Sequence, residues 1–228
     1  MTTVDFARSQ SASAAPAADP LSAELYSTVP GIRDETPWAS VPPTICPQRS
    51  VILCGGANDL SARVHRLLTY GGNPVSRVTT PEELPRLRWW GSRPSRAVLF
   101  VTLPTAGGHE LRSFRRQLAE QTRVLARAMR SRASVLIVAD TCSEVGDPGL
   151  GRRLQPMLSR MRAAAEQELA VTVKVNAVVR SGRLDETRVA FRIWEAVHGT
   201  ALPDSGYVVY DDDIDDLSIA ALMTEARS

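Results

Sequence analysis

The stretch Val51-Ile-Leu-Cys-Gly-Gly-Ala-Asn-Asp-Leu-Ser61 decides the fold. Four consecutive apolar residues without polar alternation read as a strand buried on both faces, the condition of a parallel sheet. Gly55-Gly56 ends that strand in a turn. Asp59, with Asn58 beside it, supplies the short polar side chain that caps a helix. Leu60, Val64, Leu67 and Leu68 then share one helical face, and Gly71-Gly72 stops the helix. A strand entering a helix through a glycine turn opens a βαβ unit.

Working outward, Val75–Val78 is a second strand. Thr80-Pro81-Glu82-Glu83 starts a short helix or turn with proline at a first helical position. Ala97–Thr102 is a third apolar run. From about Glu110 to Arg130 the residues Leu111, Phe114, Leu118, Leu125 and Met129 form one helical stripe, opposed by Arg112, Arg116, Arg123, Arg127 and Arg130 on a solvated face. Ser134–Ala139, Val171–Val179 and Gly206–Tyr210 read as further strands. Leu154–Glu168 and Leu184–Val197 read as helices, and the acidic C-terminus as a last helix. Short strands separated by helices imply an α/β chain folded as a doubly wound parallel sheet. Residues 1–22 are rich in Ser, Ala and Pro, and Pro30, Pro37, Pro42, Pro43 and Pro47 interrupt the stretch up to residue 47. The expected division is a flexible or irregular N-terminal extension over residues 1–47 and one domain over 48–228.

The chain has 228 residues, 43% of them hydrophobic, enough for one sizeable core. Its net charge of +2, from 27 basic and 25 acidic residues, gives no global field toward nucleic acid or an anionic membrane. There is no apolar run of about 18 residues and no basic-then-apolar leader, so a cytoplasmic protein is expected. Cys46, Cys54 and Cys142 are odd in number and scattered, and the three histidines hold no ligand spacing, so no metal site is expected. The run Asp211–Asp216 lacks the alternation of a calcium loop.

Two segments carry a family likeness. Val173-Lys-Val-Asn-Ala-Val-Val-Arg-Ser-Gly182 resembles the strand and turn Arg-Val-Asn-x-Val-x-Pro-Gly of the short-chain dehydrogenase/reductase family, and residues 199–213 resemble the segment that closes its sheet. With the order of elements, the chain is similar to the ketoacyl reductases of that family over roughly residues 49–213. The resemblance implies a Rossmann-like sheet of the short-chain dehydrogenase type. It also exposes what is missing. Cys54-Gly55 matches the start of the Thr-Gly-x-x-x-Gly-x-Gly cofactor turn, but Asp59 and Ser61 replace its later glycines, leaving a degenerate turn of Gly55, Gly56, Asp59 and Ser61. A carboxylate at a phosphate site repels the ligand that the turn exists to hold, so no nicotinamide cofactor is expected.

The catalytic positions are similarly altered. The Asn-Asn-Ala-Gly segment is reduced to Leu103-Pro-Thr-Ala-Gly107. Phe114 stands near the family's helical asparagine, and Thr141 matches its serine. Where Tyr-x-x-x-Lys belongs the chain reads Leu154-Gln-Pro-Met-Leu158, which removes the general acid and the lysine that tunes it. Thr141, Cys142, Ser143 and Glu144, at the C-terminal end of a central strand, form the candidate pocket. In the family the two long helices pack against a second subunit, and Leu158, Met161, Ala164, Ala165 and Leu169 offer a stripe for that contact. The expected function is a catalytically inactive subunit that pairs with an active short-chain reductase paralog or with itself, in bacterial polyketide or acyl-chain metabolism. An acidic acyl carrier protein is a further expected partner. The alternative is a cofactor-independent cyclase, isomerase or dehydratase acting on a polyketide-like substrate.

Overall fold

The computed structural model describes residues 49–56, 58–87, 93–104, 108–129, 132–141, 148–169, 172–198, 202 and 206–225. The expected N-terminal extension over residues 1–47 lies outside them, as do Cys142, Ser143 and Glu144 of the candidate pocket.

Among the described residues, six strands form one parallel sheet: β1 (Val51–Cys54), β2 (Val75–Val78), β3 (Arg96–Leu103), β4 (Arg132–Thr141), β5 (Thr172–Arg180) and β6 (Val208–Tyr210), in the order β2-β1-β3-β4-β5-β6. The helices are α1 (Asp59–Tyr70), α2 (Gly108–Ala128), α3 (Pro148–Leu169), α4 (Glu186–His198) and α5 (Ile219–Glu225), with a 3-10 turn over Pro81–Arg86. Side-chain parity along the strands divides the core in two. Ile52, Leu99, Ile137 and Val175 point to the face covered by α2, α3 and the 3-10 turn, whereas Leu53, Val98, Leu136 and Val178 point to the face covered by α1, α4 and α5. Both faces are covered, which is why the central stretches of β1, β3 and β4 are continuously apolar. The result is a doubly wound, Rossmann-like fold whose strand order reverses between β1 and β3.

One crossover departs from the rest. The β4-to-β5 and β5-to-β6 connections step in the same direction along the sheet, yet α3 lies on one face and α4 on the other, beside α1. The last crossover therefore has the opposite hand to the others, against a right-handed preference of about 98%. Burial of Val189, Ala190, Ile193 and Val197 against α1 and β6 holds α4 there.

Several boundaries move from their expected positions. The strands β3 and β4 extend to charged ends, Arg96, Arg132 and Asp140, because the ladder continues past the last core contact. The helix α3 begins at Pro148, where a missing N–H costs nothing, and carries exposed Pro156 within it. The acidic run Asp211–Asp216 forms turns, and the C-terminal helix starts only after Ser218, whose Oγ accepts from Ala221 N at 3.1 Å. Among the described residues, no helix is long and apolar enough to cross a membrane.

Candidate functional site

Open α/β sheets bind ligands beyond the carboxyl ends of their strands, where the strand order reverses. In this chain that crevice lies between β1 and β3, at Gly55. Gly55 takes φ +121°, and a Cβ there would meet the Phe100 carbonyl oxygen at 2.3 Å. The glycine is required by the neighbouring strand, whatever the turn binds. Gly56 has open space around its Cα and no such requirement.

The helix cap is Asn58, one residue earlier than expected, and Asp59 is the first helical residue. Asn58 has extended backbone geometry, which lets its Oδ1 accept from Ser61 N at 2.8 Å. Ser61 turns its hydroxyl back onto the carbonyls of Gly56 and Asn58, at 3.2 and 2.9 Å, and accepts from Arg77 at 3.1 Å. Asn58 Nδ2 then reaches over β3 to donate to Asp140 Oδ2 at the end of β4, 3.3 Å away.

Asp140 is the hub of a charged network on the α1/α4 side of the crevice. Arg180, closing β5, donates to Asp140 Oδ1 at 2.8 Å and to Glu186 Oε1 at 3.3 Å. Glu186 in turn pairs with Arg63 on α1 at 3.8 Å, and Arg63 donates to Thr187 at 3.1 Å. The Arg180 side chain is only 9% exposed. Burial raises the Asp140 carboxyl above its ordinary value, and Arg180 opposes that rise while Glu186 and Asp211 add to it.

The turn of Gly55, Gly56, Asp59 and Ser61 does not fit a dinucleotide. A pyrophosphate needs free amides at the helix N-terminus and a clear path across the switch point. Here Ser61 N is committed to Asn58, the Asp59 carboxylate stands at the first helical position, and the Asn58–Asp140 bond spans the crevice.

Leu154, Leu158 and Phe114, which the resemblance aligns with reductase residues, lie on the other face and belong to its core. Leu154 is 3% and Leu158 0% exposed, and Phe114 packs against the same cluster. Thr141, also on that side, donates its hydroxyl to the Arg180 carbonyl at 2.8 Å. Of the expected subunit-contact stripe, Leu158, Met161 and Ala165 are already buried against the chain's own sheet. Helices α2 and α3 leave a groove of about 500 Å³ on their outer side, with Arg115, Arg116, Arg153 and Arg160 around Met157 and Met161.

Other polar residues are structural. Asp211, fully buried, accepts from Ser181 N, Gly182 N and Ser181 Oγ at 3.0, 3.2 and 2.8 Å, and so secures the turn after β5. Arg183 pairs with Asp212, and Arg188 with Asp215. His198, in the last turn of α4, stacks on Trp194 and lies 3.1 Å from Asn73 Nδ2. The sequence reading missed Asn58 as a cross-strand link and Arg180 and Glu186 altogether. The one available signal was an arginine ending the Val-Val run of β5.

This fold and crevice define a Rossmann-like, doubly wound α/β protein whose ligand-side opening is bridged by its own side chains. No protein-family model matches the chain, and no curated sequence does. Among solved structures it is similar to a substituted Serratia marcescens short-chain dehydrogenase/reductase, with TM-score 0.47 and 15% identity over 72% of this chain and 95% of that one. It is also similar to BdcA (YjgI) from E. coli, with TM-score 0.41 and 13% identity over 71% of this chain and 96% of that one. The assignment of the fold rests on the strand order and the layering.

Proposed function

We propose that this chain is a catalytically inactive, short-chain-dehydrogenase-like subunit of the cytoplasm that pairs with an active reductase paralog in polyketide or acyl-chain metabolism. The observation that carries the reading is the Asn58–Asp140–Arg180–Glu186 network across the switch point. The buried Leu154 and Leu158 support it, since a general acid at either position would need access to solvent or substrate. The arginine-rimmed groove between α2 and α3 offers the partner a surface.

The test is co-expression with each neighbouring short-chain reductase, followed by native mass spectrometry with and without nicotinamide cofactors. A mixed complex with cofactor on the partner alone supports the proposal, and Arg116→Glu with Arg160→Glu is then expected to weaken it. Reductase turnover by the isolated chain refutes it.

A second reading has Asp140 as its particular support. A raised carboxyl at the strand ends is suited to proton transfer, as a cofactor-independent cyclase, isomerase or dehydratase requires. A cofactor-free homomer whose turnover is abolished by Asp140→Asn favours this reading over the first.

A further inference from the structure

The opposite edge of the sheet, where the strands begin, carries a second constellation. Register places Arg96 on β3 beside Ser134 on β4, Ser134 beside Lys174 on β5, and Arg132 beside Thr172. Side-chain parity points this row to the α1/α4 side of the sheet. With Arg49 the row lines a cavity of about 400 Å³, within the usual size of small-molecule sites, and among the described residues no carboxylate lines it.

Two of its groups lack what burial demands. Arg96 is 7% exposed and, among the described residues, its side chain has neither a hydrogen bond nor an ion pair. Its guanidinium is destabilised by burial and by the charge of Arg49. Ser134 is 4% exposed, and its Oγ has no partner among the described residues. Lys174 donates to the Leu202 carbonyl at 2.7 Å, which holds its ammonium at the wall. A buried cation facing other cations is costly unless an anion joins it. Guanidinium forks and hydroxyls match phosphoryl oxygens, and two phosphoryl groups carry about three negative charges against this row.

We propose that the cavity formed by Arg49, Arg96, Arg132, Ser134, Thr172 and Lys174 binds a diphosphate, either free or carried on a small organic molecule. This site is at the far edge of the sheet from Asp140 and does not depend on the proposed pairing with a reductase.

The experiment is isothermal titration calorimetry of the full chain with inorganic pyrophosphate, with ADP and a short single-stranded RNA as parallel titrants. Thermal melts accompany each titration. Saturable pyrophosphate binding that weakens with salt is expected. Arg132→Ala, at an exposed position, is expected to weaken it at least about tenfold. Arg96→Met should abolish both binding and the pyrophosphate-induced rise in Tm, without lowering the Tm of the free protein, because the buried cation has no partner to lose. ADP binding at least as tight as pyrophosphate assigns the site to an organic diphosphate, and pyrophosphate binding alone to the free anion; both uphold the proposal. Absence of saturable binding at millimolar concentrations overturns it. So does binding that survives both substitutions, or RNA that displaces pyrophosphate and binds more tightly.

Discussion

Replacing Arg180 by methionine tests whether the charged network closes the crevice. Arg180→Met keeps most of the side-chain volume but removes the cation between Asp140, 2.8 Å away, and Glu186, 3.3 Å away. Stranding a fully buried partner costs about 3–5 kcal/mol. Asp140 is 28% and Glu186 39% exposed, so both regain some solvation, and the expected loss at pH 8 is about 2–3 kcal/mol. For a domain of this size that lowers Tm by roughly 5–10 °C.

The pH dependence distinguishes electrostatics from packing. A carboxyl held above its ordinary 3.8 binds its proton more tightly in the folded state. Its contribution to stability is therefore greatest below pH 3.8 and is lost as pH rises through the folded value. Without Arg180 the folded value rises further and the window widens upward. The difference between variant and parent should shrink from pH 8 to pH 5. Urea denaturation followed by circular dichroism at both pH values, with Asp140→Asn and the double variant completing a cycle, measures this. A loss below about 1 kcal/mol at pH 8, or one equal at both pH values, would falsify the reasoning.

Three further outcomes follow from packing. Gly55→Ala combines a positive φ with a 2.3 Å approach to the Phe100 carbonyl and should cost about 2–5 kcal/mol, whereas Gly56→Ala should stay within about 0.5 kcal/mol, both by chemical denaturation. Leu158→Lys, at the position that the resemblance aligns with the family's lysine, buries an ammonium at a position 0% exposed; it should destabilise the chain by about 3 kcal/mol or more on denaturation and produce no NADPH oxidation in a spectrophotometric assay. The Cys54 thiol is pushed up to about 12 by burial, with Glu82 and Glu83 adding to the rise. At pH 8 its thiolate fraction is on the order of 10⁻⁴, and alkylation mapped by mass spectrometry should leave Cys54 unmodified until the chain is unfolded.

The apolar runs at Val51–Cys54, Ala97–Thr102 and Ser134–Ala139 mark strands in the sequence alone, because burial on both faces leaves no room for polar alternation. The stripe through Leu60, Val64 and Leu68 located α1 for the same kind of reason, and the core reading of Leu154, Leu158 and Phe114 followed from their chemistry alone. These are local properties, written in the period of a single element.

Three-dimensional structure was needed wherever a residue acts on one far along the chain. Asn58 and Asp140 are 82 positions apart, and Arg180 and Asp140 40 apart, so neither spacing nor composition relates them. Strand order brings their ends together, and parity points Asp140 and Arg180 to the same face. The same register sets Arg96, Ser134 and Lys174 side by side at the other edge of the sheet. Strand and helix segments are legible in the sequence, and so is its departure from the motifs of the family that it resembles. The charged network that bridges the crevice and the cations gathered where the strands begin emerge only in three dimensions, because charges interact through space and the order along the chain does not set their distance.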